Sequence, residues 1–226
     1  MKAAAPSFRT PVCDRLGIRT PIFGFSHELD VVAAICAAGG FGVFGVARDD
    51  PARIPDKLAE LRERVGDAPF GVDLMLPPGV PERSDPDDVA RHIPEGHRRF
   101  VEELGRKYDV PKATRETFFT SFVRSRELFE QQIEAVLASD ADLVATAIGV
   151  PPEVIARARS AGKTTLALIG SPRHAKAAMA AGVEILVAQG YDAGGHTGPI
   201  GTMSLVPQIV EMARPADIPV VAAGGI

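Results

Sequence analysis

Tryptophan is absent from the 226 residues, tyrosine occurs twice, and cysteine occurs only at Cys13 and Cys36. Two cysteines at that spacing form neither a disulfide framework nor a metal clip, which leaves both as small core residues and points to a reducing, cytoplasmic setting. No apolar run approaches the roughly 20 residues needed to cross a bilayer, and Met1 to Pro6 lacks the hydrophobic stretch of a secretion signal. Charge of one sign is also lacking: the formal net charge is -4 with both signs scattered along the chain. That balance argues against a surface built to follow a phosphate backbone. No membrane or nucleic-acid partner is expected, and the oligomeric state is not legible. His92, His97 and His174 stand apart from clustered carboxylates or cysteines, so no metal site is expected and these three read as surface histidines.

What is present is a repeat of short apolar runs, each followed by a turn and a helical pattern. Seven runs are found: Pro21 to Phe25, Phe41 to Val46, Phe70 to Leu76, Leu143 to Ile148, Thr165 to Ile169, Ile185 to Ala188, and Pro219 to Ala223. They are apolar at almost every position, as parallel strands covered on both faces are. Asp50-Pro51, Pro151-Pro152 and Ser171-Pro172 carry helix-start chemistry, while Gly39-Gly40, Gly162 and Gly182 close helices just before the next strand. The predicted fold is α/β, a TIM-type (β/α)8 barrel in a single flavin-type domain over residues 1–226. The chain stops after its seventh strand, so the expectation is a barrel truncated there, since closure needs eight strands to remove the sheet edges. An open doubly wound sheet is the competing architecture, although no glycine fingerprint for a dinucleotide follows the first strand. Between strands three and four, about residues 77–140, a long charged insertion is expected to carry helices near Asp87 to Lys107 and Ser121 to Leu137 and to cover the strand C-termini.

In such a barrel the residues just after each strand build the site. After the sixth run come Gln189-Gly190 and then Asp192-Ala193-Gly194-Gly195-His196-Thr197-Gly198. The glycines let the backbone approach a flat or anionic ligand, and His196 can donate a hydrogen bond or move a proton near neutrality. A flexible loop with a solvent histidine is the plain alternative. Gly224-Gly225 after the seventh run offers unhindered amides where barrels hold phosphate, or else an ordinary strand-to-helix turn. Gly24, at the end of the first run, leaves backbone free to face a planar ligand. Ser26 reads as helix cap or ligand contact, and His27 as a lesser substrate candidate. Asp73 sits inside the third run, on the face of Gly71 and Met75, where a charge is costly unless it is paired or lines the site.

Taken together, Gly24, Ala38-Gly39-Gly40, Phe70-Gly71-Val72-Asp73-Leu74, Ala188-Gln189-Gly190, Ala193-Gly194-Gly195-His196 and Ala222-Ala223-Gly224-Gly225-Ile226 resemble the nitronate monooxygenase family, formerly called 2-nitropropane dioxygenases. The resemblance implies an FMN enzyme, a flavin-dependent monooxygenase that oxidises an alkyl nitronate, or the parent nitroalkane, with O2 to a carbonyl compound and nitrite. By that likeness Gln189 and Asp73 hydrogen-bond the flavin, Gly24, Gly194 and Gly195 lie near it, Gly224-Gly225 hold its phosphate, and His196 faces the substrate. Asp73 stands where many members have Asn, exchanging a donor-acceptor for an acceptor with a charge. FMN-dependent enoyl-acyl carrier protein reductases, which use NAD(P)H, are similar in the same loop and in Thr202-Met203. A barrel that binds a phosphate ligand without turnover is the reading from another class.

Overall fold

The structure is a computed structural model that describes residues 8–83, 85–112, 114 and 124–226. Seven strands form one sheet in the order of the chain: β1 (Phe23–Ser26), β2 (Phe41–Gly45), β3 (Phe70–Met75), β4 (Leu143–Ala147), β5 (Thr164–Ile169), β6 (Ile185–Gln189) and β7 (Val220–Ala223). Every neighbouring pair is parallel. A doubly wound sheet must reverse its strand order at a switch point, and this one does not. The architecture is therefore seven strands of a (β/α)8-type barrel, as the apolar runs predict.

Alternation along the strands sorts the core into two layers. Phe44, Phe70, Val72, Leu74 and Val144 point outward to α2 (Leu29–Ala37), α3 (Ile54–Val65), α6 (Arg126–Leu137) and α7 (Pro152–Ser160). Ala167, Ile169, Leu186 and Ala188 point outward to α7, α8 (Pro172–Ala180) and α9 (Thr202–Ala213). The opposite parity, Phe41, Val43, Leu143, Ala145, Leu166, Ile185 and Val187, fills the barrel interior. Into that same cluster α1 (Pro11–Leu16) inserts Val12, Cys13 and Leu16, and Arg15 pairs at 2.9 Å with Glu184 at the foot of β6. α1 thus seals the N-terminal end of the strands, leaving chemistry to the other end. Both cysteines are buried, Cys13 at 0% and Cys36 at 5% exposure, and burial pushes the Cys36 thiol up.

The foot of the barrel is clamped by Arg62 of α3. Its guanidinium donates to the carbonyls of Gly66, Ala68 and Asp140 and to Asp142 Oδ2, and lies 4.6 Å from the centre of the Phe70 ring. One planar fork thereby ties the end of α3 to the starts of β3 and β4. Gly39, Gly162 and Gly182 take positive φ just past α2, α7 and α8, where the chain must turn back into a strand.

In the insertion the expected helix over Asp87 to Lys107 is two helices, α4 (Pro86–His92) and α5 (Glu95–Lys107), because Pro94 cannot continue the first and stands as N-cap of the second. α5 buries none of its residues and exposes Phe100 and Val101. The helix expected from Ser121 is described from Arg126, capped by Ser125 Oγ accepting from the Leu128 N–H, and residues 121–123 lie outside the described residues.

Candidate functional site

The C-terminal ends of β6 and β7 are built around backbone contacts that tolerate no side chain. A Cβ on Gly190 would lie 2.2 Å from the Thr202 nitrogen, and one on Gly198 would lie 2.2 Å from the Gly170 carbonyl oxygen. Gly190 N–H donates to the Ala223 carbonyl, and Tyr191 N–H to that of Ile200. The start of α9 is thus pressed against the end of β6, and the loop after β6 against the loop after β5. Asp192 holds the arrangement: its Oδ2 accepts from Thr202 N–H at 2.7 Å, and this bond keeps the carboxyl below the usual carboxylate range. Thr202, itself buried, returns a bond from Oγ1 to the Ala223 carbonyl. The sequence reading missed this capping role, because the partner stands ten residues away across a loop.

The loop these contacts suspend carries the predicted residues. Gln189 shares its parity with Val187 and so faces the barrel interior, and its Nε2 donates at 3.3 Å to the His196 carbonyl. Gly194 and Gly195 have open space where a Cβ would stand, and Gly195 has φ +77°. His196 is exposed, and its imidazole has no hydrogen-bond partner among the described residues. Gly224 and Gly225 leave β7 with φ +102° and +68°, their Cβ positions directed at Ala193 and at Asp192. The two glycine segments are therefore packed on one another, and among the described residues no backbone hydrogen bond outside the regular elements uses the N–H of Gly194, Gly195, Gly224 or Gly225.

Across the barrel, Asp73 lies opposite Gly45 and Ala145 in register, faces inward and is 7% exposed. Its Oδ1 is buried without a hydrogen-bond partner. Burial pushes its carboxyl up to about 8. Gly24 is placed differently: a Cβ there would meet Ile35 Cδ1 at 2.3 Å, so its missing side chain makes room for α2, and only its backbone remains to meet a ligand. Its neighbour Phe25 has the opposite parity and is 55% exposed. Ser26 is not at the N-cap of α2; that position is held by Glu28, whose N–H donates to Ser26 Oγ and whose side chain makes no capping bond. His27 Nδ1 donates at 2.7 Å to the Gly45 carbonyl and meets the Phe25 ring edge-on at 5.1 Å between centroids. Nothing in the sequence patterning announces Ile148, just past β4, at φ +65°, where a β-branched side chain is strained. Strain of this kind gathers where function requires a fixed backbone.

These features define a parallel barrel with a glycine-lined mouth, an exposed histidine on the loop at that end and an unsatisfied acid within. The family profile of nitronate monooxygenase matches residues 16–226, and the chain belongs to that family. Mycobacterium tuberculosis Rv1533, named as a monooxygenase, is 41% identical over 226 residues, covering 96% of this chain and 60% of that protein. A Staphylococcus saprophyticus protein named as a nitronate monooxygenase is 27% identical, covering 96% of this chain and 61% of its own length. Among solved structures, nitroalkane oxidase from Streptomyces ansochromogenes superposes with a TM-score of 0.71 at 28% identity, over 96% of this chain and 61% of that one. FabK from Thermotoga maritima gives a TM-score of 0.68 at 24% identity, over 96% and 55%, a likeness of fold. The chain spans about 60% of the length of the first two relatives. Among the described residues no helix is long and apolar enough to cross a membrane, and no cluster of His, Cys, Asp or Glu could hold a metal ion.

Proposed function

We propose that the barrel mouth binds FMN and that the protein oxidises alkyl nitronates with O2, two nitronates and one O2 giving two carbonyl compounds and two nitrites. The observation that carries the reading is the pairing of the two glycine segments after β6 and β7, which leaves their N–H groups unused beside the inward-facing Gln189, in a chain of the nitronate monooxygenase family. The fit to a flavin rests on three features. An amide and an orphaned acid, Gln189 and Asp73, face a barrel interior that is otherwise apolar near the mouth. Unhindered amides at Gly224 and Gly225 suit a phosphate. Gly194 and Gly195 leave room for a flat ring.

When bound, the flavin supplies the electron transfer between nitronate and O2. The protein's part is to orient and to handle the proton. Gln189, fixed by its bond to the His196 carbonyl, would hold the flavin and tie it to the loop that carries the histidine. Protonated or as a neutral donor, His196 steadies the anionic nitro oxygens; as a neutral base it removes the α-carbon proton of a nitroalkane to generate the nitronate.

The test is nitrite formation and O2 consumption by the intact, FMN-loaded protein with propyl nitronate and no pyridine nucleotide. Turnover under those conditions supports the reading. A protein that takes up no FMN is instead a non-catalytic barrel. A reductase reading draws on Thr202-Met203, but Thr202 is accounted for here by its structural bonds to Asp192 and Ala223.

A further inference from the structure

We propose that Asp73 is held inside the barrel as a neutral carboxylic acid and donates its O–H to an acceptor atom on the ring edge of the bound flavin. The inference deepens the cofactor assignment above and rests on it. It reverses the electrostatics expected from the sequence, which treated Asp73 as a charged acceptor.

The geometry is that of a donor without a partner. Asp73 belongs to the inward parity of β3, because Val72 and Leu74 on either side belong to the outer core. Its neighbours in register, Gly45 and Ala145, have no polar side chain to offer, and Oδ1 is left without any partner while fully shielded from water. A carboxylate so placed would need a cation or several N–H donors, and without them the proton stays on.

Among the described residues no charge is paired with it. Among the described residues the titratable groups on the barrel's inner side and at its mouth include His27, committed through Nδ1 to the Gly45 carbonyl, Cys13 of α1 at the opposite end, and, on the loop after β6, exposed Tyr191, Asp192 bonded to Thr202 N–H, and exposed His196. None forms a hydrogen bond or ion pair with Asp73. On the elements packed outside β3, described charges pair with one another and not with Asp73: Asp142 with Arg62, Asp49 with Lys57, and Glu130 and Glu134 of α6 with Arg157. The buried Gln132 of α6 spends its amide on the Val46 and Asp49 carbonyls. The carboxyl's rise to about 8 has burial as its only cause, in keeping with this inventory. An acid kept neutral at physiological pH has one use that a carboxylate lacks, which is to donate.

The experiment is FMN binding to the intact protein, read by quenching of flavin fluorescence from pH 6 to pH 10, for wild type, Asp73→Asn and Asp73→Leu. Asn donates at every pH. The expected result is equal affinity of wild type and Asp73→Asn at pH 6, then a loss for wild type relative to the variant approaching tenfold per pH unit above the carboxyl's pKa, as a required proton is titrated away. Asp73→Leu, with no donor, binds about tenfold more weakly at pH 6. In parallel, the infrared difference between ligand-free wild type and Asp73→Asn should show the carbonyl stretch of a protonated acid at pH 7. Parallel pH curves for wild type and Asp73→Asn, with FMN bound by both, overturn the donor role and leave the cofactor site standing. A carboxylate signature at pH 7 overturns the neutral acid. No FMN uptake by any form at any pH overturns both the donation and the cofactor assignment.

Discussion

Replacing Asp73 with Asn should change folding stability in a pH-dependent way whose sign and size follow from its burial. In the folded protein the carboxyl is pushed from 3.8 up to about 8 by desolvation alone. Below pH 4 both folded and unfolded chains hold the proton, and the group costs nothing. As pH rises through the unfolded value, the unfolded chain releases its proton while the folded chain keeps it, so stability is lost steadily until the folded carboxyl also titrates near pH 8. The loss is about 1.4 kcal/mol per pH unit. Asn carries no such linkage, so between pH 5 and pH 8 the wild type should lose roughly 4 kcal/mol relative to Asp73→Asn. In a domain of this size that is a melting-temperature difference on the order of 10 °C, opening as pH rises. The assay is urea unfolding of both flavin-free proteins at pH 5, 6.5 and 8, comparing midpoints at equal slope. A stability difference that stays constant across those pH values would refute the reasoning, because it would mean that Asp73 ionises alike in the folded and unfolded chains.

Other residues give independent checks. His196→Asn keeps a donor but cannot take a proton, so activity on neutral nitroalkane should fall by about 10² to 10⁴-fold, with a smaller fall on pre-formed nitronate and FMN affinity retained; unchanged rates on both substrates would make His196 a bystander. Gly190→Ala drives a Cβ into the backbone of Thr202 and should dislodge α9 and release FMN, whereas Gly24→Ala meets only the mobile end of Ile35 and should keep FMN, as cofactor content of the purified variants will show. Arg62→Ala removes four hydrogen bonds and a ring contact at the barrel foot and should destabilise by about 2–3 kcal/mol in urea, without rescue by Arg62→Lys, whose ammonium lacks the planar fork.

The strands were legible because a parallel strand buried on both faces is apolar throughout, and all seven runs became strands, displaced at their ends by a few residues. β1, expected over Pro21 to Phe25, begins at Phe23, since the proline and the turn before it cannot join the ladder. α1 was not visible: six residues are too few to show an amphipathic period. Pro94 was in plain view within the insertion, yet the helical pattern on both sides of it hid the break between α4 and α5. Residue type and position singled out Gln189, His196 and the glycine pairs as candidates, and the structure puts them at and after the ends of β6 and β7. Alternation alone turned Asp73 inward. What sequence could not express is tertiary: that Asp192 accepts from the first N–H of α9, that Gly24 makes room for Ile35, that His27 is tied to Gly45, and that among the described residues no charge is paired with Asp73. Each depends on which segments the barrel brings together, and none leaves a local pattern.

The central claim, a flavin site reduced by nitronate, is tested most directly by the visible spectrum of the intact, FMN-loaded protein under anaerobic conditions, with NADH or NADPH added first and propyl nitronate second. The oxidised flavin spectrum should persist with either pyridine nucleotide and bleach with the nitronate. Bleaching by a pyridine nucleotide, with no response to nitronate, would contradict it.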